Sequence, residues 1–378
     1  MTPLAERLAR RIRENGPLTV AAYMAEALGN PEHGYYRRGD PFGAAGDFIT
    51  APEISQMFGE LIGLWCAETW RRMGGPDPVR LVELGPGRGT LMADALRAAR
   101  LVPEFRAAID VHLVENSPLL RVRQAKILRA AELTPAWHDD FAGVPGGPLL
   151  LVANEFFDAL PIHQFQRVGD GWRERVIALD AAGHGFRFAL AAPGPAAALL
   201  APAQAGAPDG AIAEICPAGR DLAAAIGARV ARDGGAALIV DYGPAESAAG
   251  DSLQAVRRHR PVDPLADPGA ADLTAHVDFA ALARAATAAG AAAHGPLPQG
   301  LLLDRLGILM RAAVLVQRAT PAQVRDIRTA ARRLRDPANM GRLFKALAIA
   351  APGLAPPEFE PPTESGQAPS CLKPVEGP

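Results

Sequence analysis

Three glycines at alternating positions, Gly85, Gly87 and Gly89, follow an apolar run that ends in an acid, Glu83, within "VRLVELGPGRGTLMADALRAAR" (79–100). Glycines here let a ligand approach the backbone, and the helical spacing that resumes afterwards sets that ligand at a helix N-terminus. The spacing is G-x-G-x-G, not the G-x-G-x-x-G of a dinucleotide site, and no Lys-Ser/Thr pair follows as in a phosphate-binding loop. The acid two residues ahead of the first glycine suits a ligand with a cationic group and no phosphate. Glu115 closes the next apolar run, "DVHLVEN", where a carboxylate can accept hydrogen bonds from both hydroxyls of a ribose. Asp139 and Asp140 in "TPAWHDDF" stand where an acid would meet an adenine amine. An adenosine without phosphates, carrying a sulfonium and an aminocarboxylate, is S-adenosylmethionine. NAD fits this set less well, and glycines that merely permit tight strand–helix packing are the remaining alternative.

The elements that must hold these residues read as strand, turn and helix. "VRLVELG", "DVHLVEN", "LLLVANEFFDALP" and "GGAALIVDYGP" are short apolar runs alternating with amphipathic stretches. That alternation indicates an α/β chain whose parallel sheet is covered on both faces, with ligands at the carboxyl ends of the strands. Residues 1–77 read as mostly helical, with Thr19 capping "VAAYMAEAL", a Gly-rich loop over 39–51, and one helix over 52–73. Ser117 is the expected cap of the helix that begins at Pro118. Residues 78–350 carry the alternating pattern, interrupted by a hairpin-like stretch at about 165–195 and a polar, loop-like one at 245–277. "LLLDRLGILMRAAVLVQ" reads as a helix, "GRLFKALAIAAP" as a last strand, and 351–378 as a Pro-rich tail lacking the apolar pattern of a packed segment.

Bulk properties narrow the class. In 378 residues the formal net charge is -2, so there is no polycationic bias of the kind a dedicated nucleic-acid binder shows. The three cysteines, Cys66, Cys216 and Cys371, are scattered without a C-x-x-C pair, which indicates neither a disulfide framework nor a zinc site and fits a reducing compartment. His33 and His163 have no ligand partners at metal-binding spacing. No apolar run reaches the length of a membrane span. The opening helix is basic and amphipathic, but Glu6 and Glu14 argue against a transit peptide.

Longer segments carry a resemblance. "HGYY", "FGAAGDFITAPEISQMFGELIGLW", "LVELGPGRGTLMADALR", "HLVENSPLLRVRQ", "ANEFFDALPIHQF", "IVDYG", "GDSLQAVRRH", "PGAADLTAHVDFAAL", "GPLPQG" and "MGRLFKALAI" together resemble the SAM-dependent methyltransferases that include the mitochondrial complex I assembly methyltransferase and its bacterial relatives. The resemblance leaves out only the first dozen residues and the last twenty. It implies a class I, Rossmann-like fold with a mostly parallel seven-stranded sheet, an N-terminal helical region and insertions. It implies S-adenosyl-L-methionine as cofactor, with Glu83, Gly85, Gly87 and Gly89 in the cofactor loop and Glu115 on the ribose. It further implies dimethylation of a protein arginine, with a complex I core subunit as partner. The compartment would be cytoplasmic in a bacterium or the mitochondrial matrix in a eukaryote.

Methyl transfer to a guanidinium requires carboxylates that hold the planar cation and take a proton as the methyl arrives. Asn154, Glu155 and Asp158 in "ANEFFDALP" sit where the methyl should emerge. Asn154 would orient the acceptor or the cofactor, and the two acids would bind the guanidinium; Phe156 and Phe157 either wall the pocket from water or pack in the core. Gly46, Asp47, Phe48 and Thr50 in "GDFIT" serve either as a cover over cofactor and acceptor or as a helix cap. Asp241 and Tyr242 either line the acceptor channel or support it from behind, and His276 is either a base or a structural residue. Methylation of another protein or a small molecule, and SAM binding without catalysis by an assembly factor, remain alternatives. The sequence is silent on oligomeric state.

Overall fold

A computed structural model of the chain describes residues 2–38, 49–131, 133–183, 185–192 and 200–360. Its centre is a sheet built from β1 (Val79–Leu84), β2 (Ile109–Val114), β3 (Ala136–His138), β4 (Leu149–Asn154), β5 (Gly235–Tyr242), β6 (Ala292–Pro298) and β7 (Phe344–Ala350). The order across the sheet is β6-β7-β5-β4-β1-β2-β3. β5, β4, β1, β2 and β3 pair in parallel, while β7 runs antiparallel to both β5 and β6, so the sheet is mixed. The apolar runs are continuous rather than alternating because both faces are buried.

The helix Gln56–Arg72 lies on one face together with Thr90–Ala99. The two backbones meet at Gly63, where a Cβ would stand 2.6 Å from Ala95 Cα, so any larger residue would drive them apart. Pro217–Asp233 and Phe279–Ala288 cover the other face through Ile226, Val230, Phe279 and Leu282. The chain leaves β1 for one half of the sheet and returns for the other half through β4. The carboxyl ends of β1 and β4 therefore adjoin at the point where strand order reverses, the usual place for a ligand crevice.

A second, antiparallel sheet is made by residues 163–168, 171–179, 186–190 and 212–215, with Leu18–Thr19 as its edge. The N-terminal region is thus not wholly helical: Leu18 and Thr19 pair with Ile177 and Val176. The flanking helices Pro3–Asn15 and Val20–Gly29 pack onto this sheet through Leu4, Leu8 and Tyr23. Thr19 does cap the second of them, accepting from Ala22 N. Ser117 does not cap with its side chain.

Four other stretches differ from the sequence reading. The helix expected over 52–73 is interrupted at Ser55, which is extended and caps a new helix by accepting from Met57 N. The helix expected over "LLLDRLGILMRAAVLVQ" breaks at Gly307, whose φ of 85° only glycine adopts freely. The stretch 245–277 carries a small three-stranded sheet, Gln254–Arg257, Arg260–Val262 and Asp272–Thr274. The first part of the expected tail is packed: Trp65 Nε1 donates to Pro357 O at 3.1 Å, and Phe359 is buried. No helix among the described residues is long and apolar enough to cross a membrane.

Candidate functional site

A cavity of about 670 Å³ opens at the carboxyl ends of β1, β2, β4 and β5. At one end lie Glu83, Gly85, Gly87, Glu115, Asp139 and Asp140; at the other, Asn154, Glu155, Asp158 and Tyr242. Thr50 lines it too, and the backbone N–H of Ala51 next to it donates to Glu155 Oε1 at 3.0 Å. Gly89 stands outside the lining: it is the left-handed cap of the helix Thr90–Ala99 and packs on Gln124. Gly46, Asp47 and Phe48 lie outside the described residues.

Glu83 is 3 % exposed, and burial pushes its carboxyl up to about 8. It accepts from the backbone N–H of Met92, yet its Oε2 is buried with no hydrogen-bond partner. A buried carboxylate oxygen left unpaired is costly unless a ligand completes it. Gly85 follows with φ 61°, and a Cβ there would lie 2.6 Å from Phe156 Cδ2, so this turn excludes a side chain on two counts. Glu115 is fixed by Ser117 N at 2.8 Å and Gln124 Nε2 at 3.2 Å, and burial raises its carboxyl. Gln124 also donates to Gly87 O and accepts from Trp137 Nε1, which ties the glycine turn to the second and third strands. Asp139 pairs with Arg121 at 2.6 Å, and Asp140 caps the turn after it through Gly143 N. These residues suit S-adenosylmethionine: a buried acid with one unpaired oxygen for its cationic end, a bare glycine turn, and an acid at the end of the second strand for the ribose.

The other end is built around a tight turn. Glu155 has φ 49°, a left-handed conformation that a side chain tolerates at a cost and that recurs at functional sites. Its Oε1 accepts from Ala51 N and from Asn154 Nδ2 at 3.2 Å. Burial pushes this carboxyl up to about 7, with Asp158 adding to the rise. Asp158, 6 % exposed, is pushed up to about 6 by burial and is hydrogen-bonded to Tyr242. Asn154 Oδ1 is buried without a partner.

Asp241 holds the turn together. Its Oδ2 accepts from Phe156 N, Phe157 N and Asp158 N at 3.1, 3.0 and 3.2 Å, and its Oδ1 from Tyr242 N. It is fully buried and absent from the cavity wall, so it supports from behind while Tyr242 faces the cavity. Burial, then the neighbouring Asp158 and Glu155, raise its carboxyl, against the pull of its backbone donors. Phe156 lines the cavity, whereas Phe157 packs into the core below.

Several lining residues went unread in the sequence. Glu53 joins the glycine turn to the N-terminal region, accepting from Thr90 Oγ1 at 2.5 Å and Arg88 at 3.2 Å. Tyr36 enters from the short helix Tyr35–Arg38, and Asp272 and Thr274 enter from the strand Asp272–Thr274. His276 lines the cavity edge-on to Tyr242, and burial lowers its pKa. Eight carboxylates face the cavity, Glu53, Glu83, Glu115, Asp139, Asp140, Glu155, Asp158 and Asp272, against one arginine, Arg37, among the described residues. Such a cavity favours cationic ligands over phosphates.

A family model described as S-adenosyl-L-methionine-dependent methyltransferase matches residues 61–297. The chain is 40 % identical over 374 residues to "Protein arginine methyltransferase NDUFAF7 homolog, mitochondrial" of Drosophila melanogaster, covering 92 % of this chain and 84 % of that one. It is 37 % identical to the Homo sapiens "Protein arginine methyltransferase NDUFAF7, mitochondrial", covering 92 % and 83 %. A Burkholderia thailandensis protein solved bound to S-adenosyl-homocysteine superposes with a TM-score of 0.81 at 30 % identity, over 95 % of this chain and 92 % of that one.

Proposed function

The chain belongs to the family of S-adenosyl-L-methionine-dependent methyltransferases, with that molecule as cofactor, and on this premise we propose that it methylates an arginine side chain of a protein. The observation that carries the reading is one cavity that runs from the glycine turn to a second acid-lined end, where Glu155 and Asp158 stand. The relatives named as protein arginine methyltransferases support the same acceptor.

The cofactor supplies an electrophilic methyl on a sulfonium. The chain's own residues do the rest. Glu83, Gly85, Gly87 and Glu115 bind the cofactor, with Asp139 and Asp140 at the same end; Gly89 shapes the turn as the cap of the following helix, and Gly46 and Asp47 lie outside the described residues. Glu155, whose Oε1 is already occupied by Ala51 N and Asn154 Nδ2, offers Oε2 to a guanidinium Nη. Its carboxylate accepts the Nη proton that must leave when the nitrogen gains a methyl, and Asp158 neutralises the remaining charge. Asn154 orients Glu155, Phe156 keeps water from this end, and Thr50 and Tyr242 border the acceptor. Asp241 takes the supporting role, not a lining one.

We assign the seven-stranded sheet to the class I, Rossmann-like arrangement. The domain limits are 1–77 for the N-terminal region, 78–350 for the methyltransferase domain with insertions near 165–195 and 245–277, and 351–378 for the tail. The acceptor we propose is a complex I subunit, dimethylated in the mitochondrial matrix of a eukaryote or the cytoplasm of a bacterium. Incubation of the purified protein with isotopically labelled S-adenosylmethionine and candidate subunits tests this. Label on arginine supports the reading, and label on lysine or a carboxylate alone refutes it.

A further inference from the structure

The acceptor end of the cavity has a wall that the mechanism above does not use. Asp272 lies on the last strand of the small sheet, is 6 % exposed, and lines the cavity. Tyr36 donates its hydroxyl to Asp272 Oδ1 at 2.8 Å, bringing in the N-terminal region. Two residues on, Thr274 is hydrogen-bonded to Tyr242, and Tyr242 to Asp158. Ala275 N donates to Asp158 O at 2.9 Å, so the strand is pinned to the turn that carries Glu155 and Asp158. One hydrogen-bonded frame therefore fixes three carboxylates, from two separate elements, around the same end of the cavity.

A cavity end lined by several acids attracts a cationic group. The burial of Tyr36, and the charges of both Asp272 and Asp158 near it, push its hydroxyl well above the ordinary range, which keeps it a hydrogen-bond donor. A compact ammonium offers three donors around one point. A guanidinium offers five in a rigid plane and can meet carboxylates on two sides at once.

We propose that Asp272, braced by Tyr36, is a positioning residue of the acceptor site, gripping the guanidinium from the small sheet while Glu155 and Asp158 hold it from β4. The inference rests on the arginine reading above and adds to it the residue that selects arginine over lysine. The small sheet is then part of the acceptor site, which gives the polar stretch 245–277 a function.

The test titrates the full-length protein, saturated with S-adenosyl-homocysteine, with acetyl-Gly-Arg-Gly-amide and with its lysine counterpart. Wild type is expected to prefer the arginine peptide. Asp272→Asn is expected to weaken arginine binding by about 10- to 100-fold, the range of a lost charge-assisted hydrogen bond, and to erase the preference over lysine. S-adenosyl-homocysteine affinity and thermal stability should stay at wild-type levels, and Tyr36→Phe should give a smaller loss in the same direction. In turnover, Asp272→Asn should raise KM for the peptide more than it lowers kcat. Unchanged peptide affinity in Asp272→Asn overturns the inference and leaves the arginine reading standing. A parallel loss of S-adenosyl-homocysteine affinity overturns it in favour of a purely structural role. Wild type that takes lysine as tightly as arginine overturns both.

Discussion

Replacing Glu83 by glutamine should stabilise the ligand-free protein and weaken the cofactor, and the two effects come from the same charge. In the cavity the Glu83 carboxyl is pushed up to about 8 from its ordinary 4.5 by burial. Because the folded value lies above the unfolded one, the stabilising contribution is fully present below about pH 4.5 and is lost as pH rises through about 8. At pH 7 the unfolded carboxyl is ionised and the folded one keeps its proton. The difference of about 2.5 units costs about 3 kcal/mol, to order of magnitude. Glutamine has no proton to lose, so it removes this cost, while its own unpaired amide hydrogens return about 1–2 kcal/mol. The net gain of about 1–2 kcal/mol should raise Tm by a few degrees at pH 7, more at pH 8.5, and not at pH 4.5. An ammonium group of the ligand placed beside Glu83 must drive the proton off, so uptake of S-adenosyl-homocysteine, which keeps that ammonium, should release protons at pH 7. Calorimetry in two buffers of different ionisation enthalpy reads that release, which should fall in Glu83→Gln together with a roughly 10- to 100-fold loss of affinity. A variant that melts lower than wild type at pH 8.5, or that binds with unchanged affinity and proton release, refutes the reasoning.

Glu155→Gln should leave cofactor affinity within about twofold and lower kcat by about 10²- to 10⁴-fold, the range of a lost general base; near-normal turnover would remove Glu155 from its role. The same carboxyl, pushed up to about 7, should make kcat/KM rise with pH between about 6 and 8, since the base must be ionised, and the rise should flatten in the glutamine variant. Gly85→Val should abolish cofactor binding and lower Tm, because a side chain at φ 61° would meet the Phe156 ring; calorimetry and melting curves check both. Asp241→Ala strands three buried backbone donors and should cost about 3 kcal/mol or more of stability, with loss of transfer. A denaturant titration that shows less than about 1 kcal/mol would contradict its role in holding the turn.

The end of the cavity at the glycine turn was legible because its residues are local. Glu83, Gly85 and Gly87 lie within one strand–turn–helix and Glu115 follows at the next strand end, so local spacing puts them on one cavity wall, while Gly89 turns out to cap the helix instead. The acceptor end is assembled across the chain and resisted reading. Tyr36 and Asp272 are separated by 236 positions yet share a hydrogen bond, and no periodicity announces such a pair. The small sheet was read as loop because its strands are three or four residues long and carry polar side chains such as Gln254 and Asp272. Asp241 was left between two roles for a simple reason. An acid at a strand end looks alike in sequence whether it faces a cavity or turns inward to collect three backbone N–H groups. Ser55 and Gly307 broke helices whose apolar periodicity ran on past them, since a local cap or a left-handed glycine outweighs a continuing pattern.

The central claim, arginine methylation at the acid-lined end of this cavity, is tested most directly in cells lacking the protein. Mass spectrometry of complex I subunits would compare those cells with cells supplied with wild type or with Glu155→Gln. The account predicts a dimethylarginine that disappears on deletion, returns with wild type and stays absent with Glu155→Gln. A methylarginine pattern unchanged by deletion, or one restored equally well by Glu155→Gln, would contradict it.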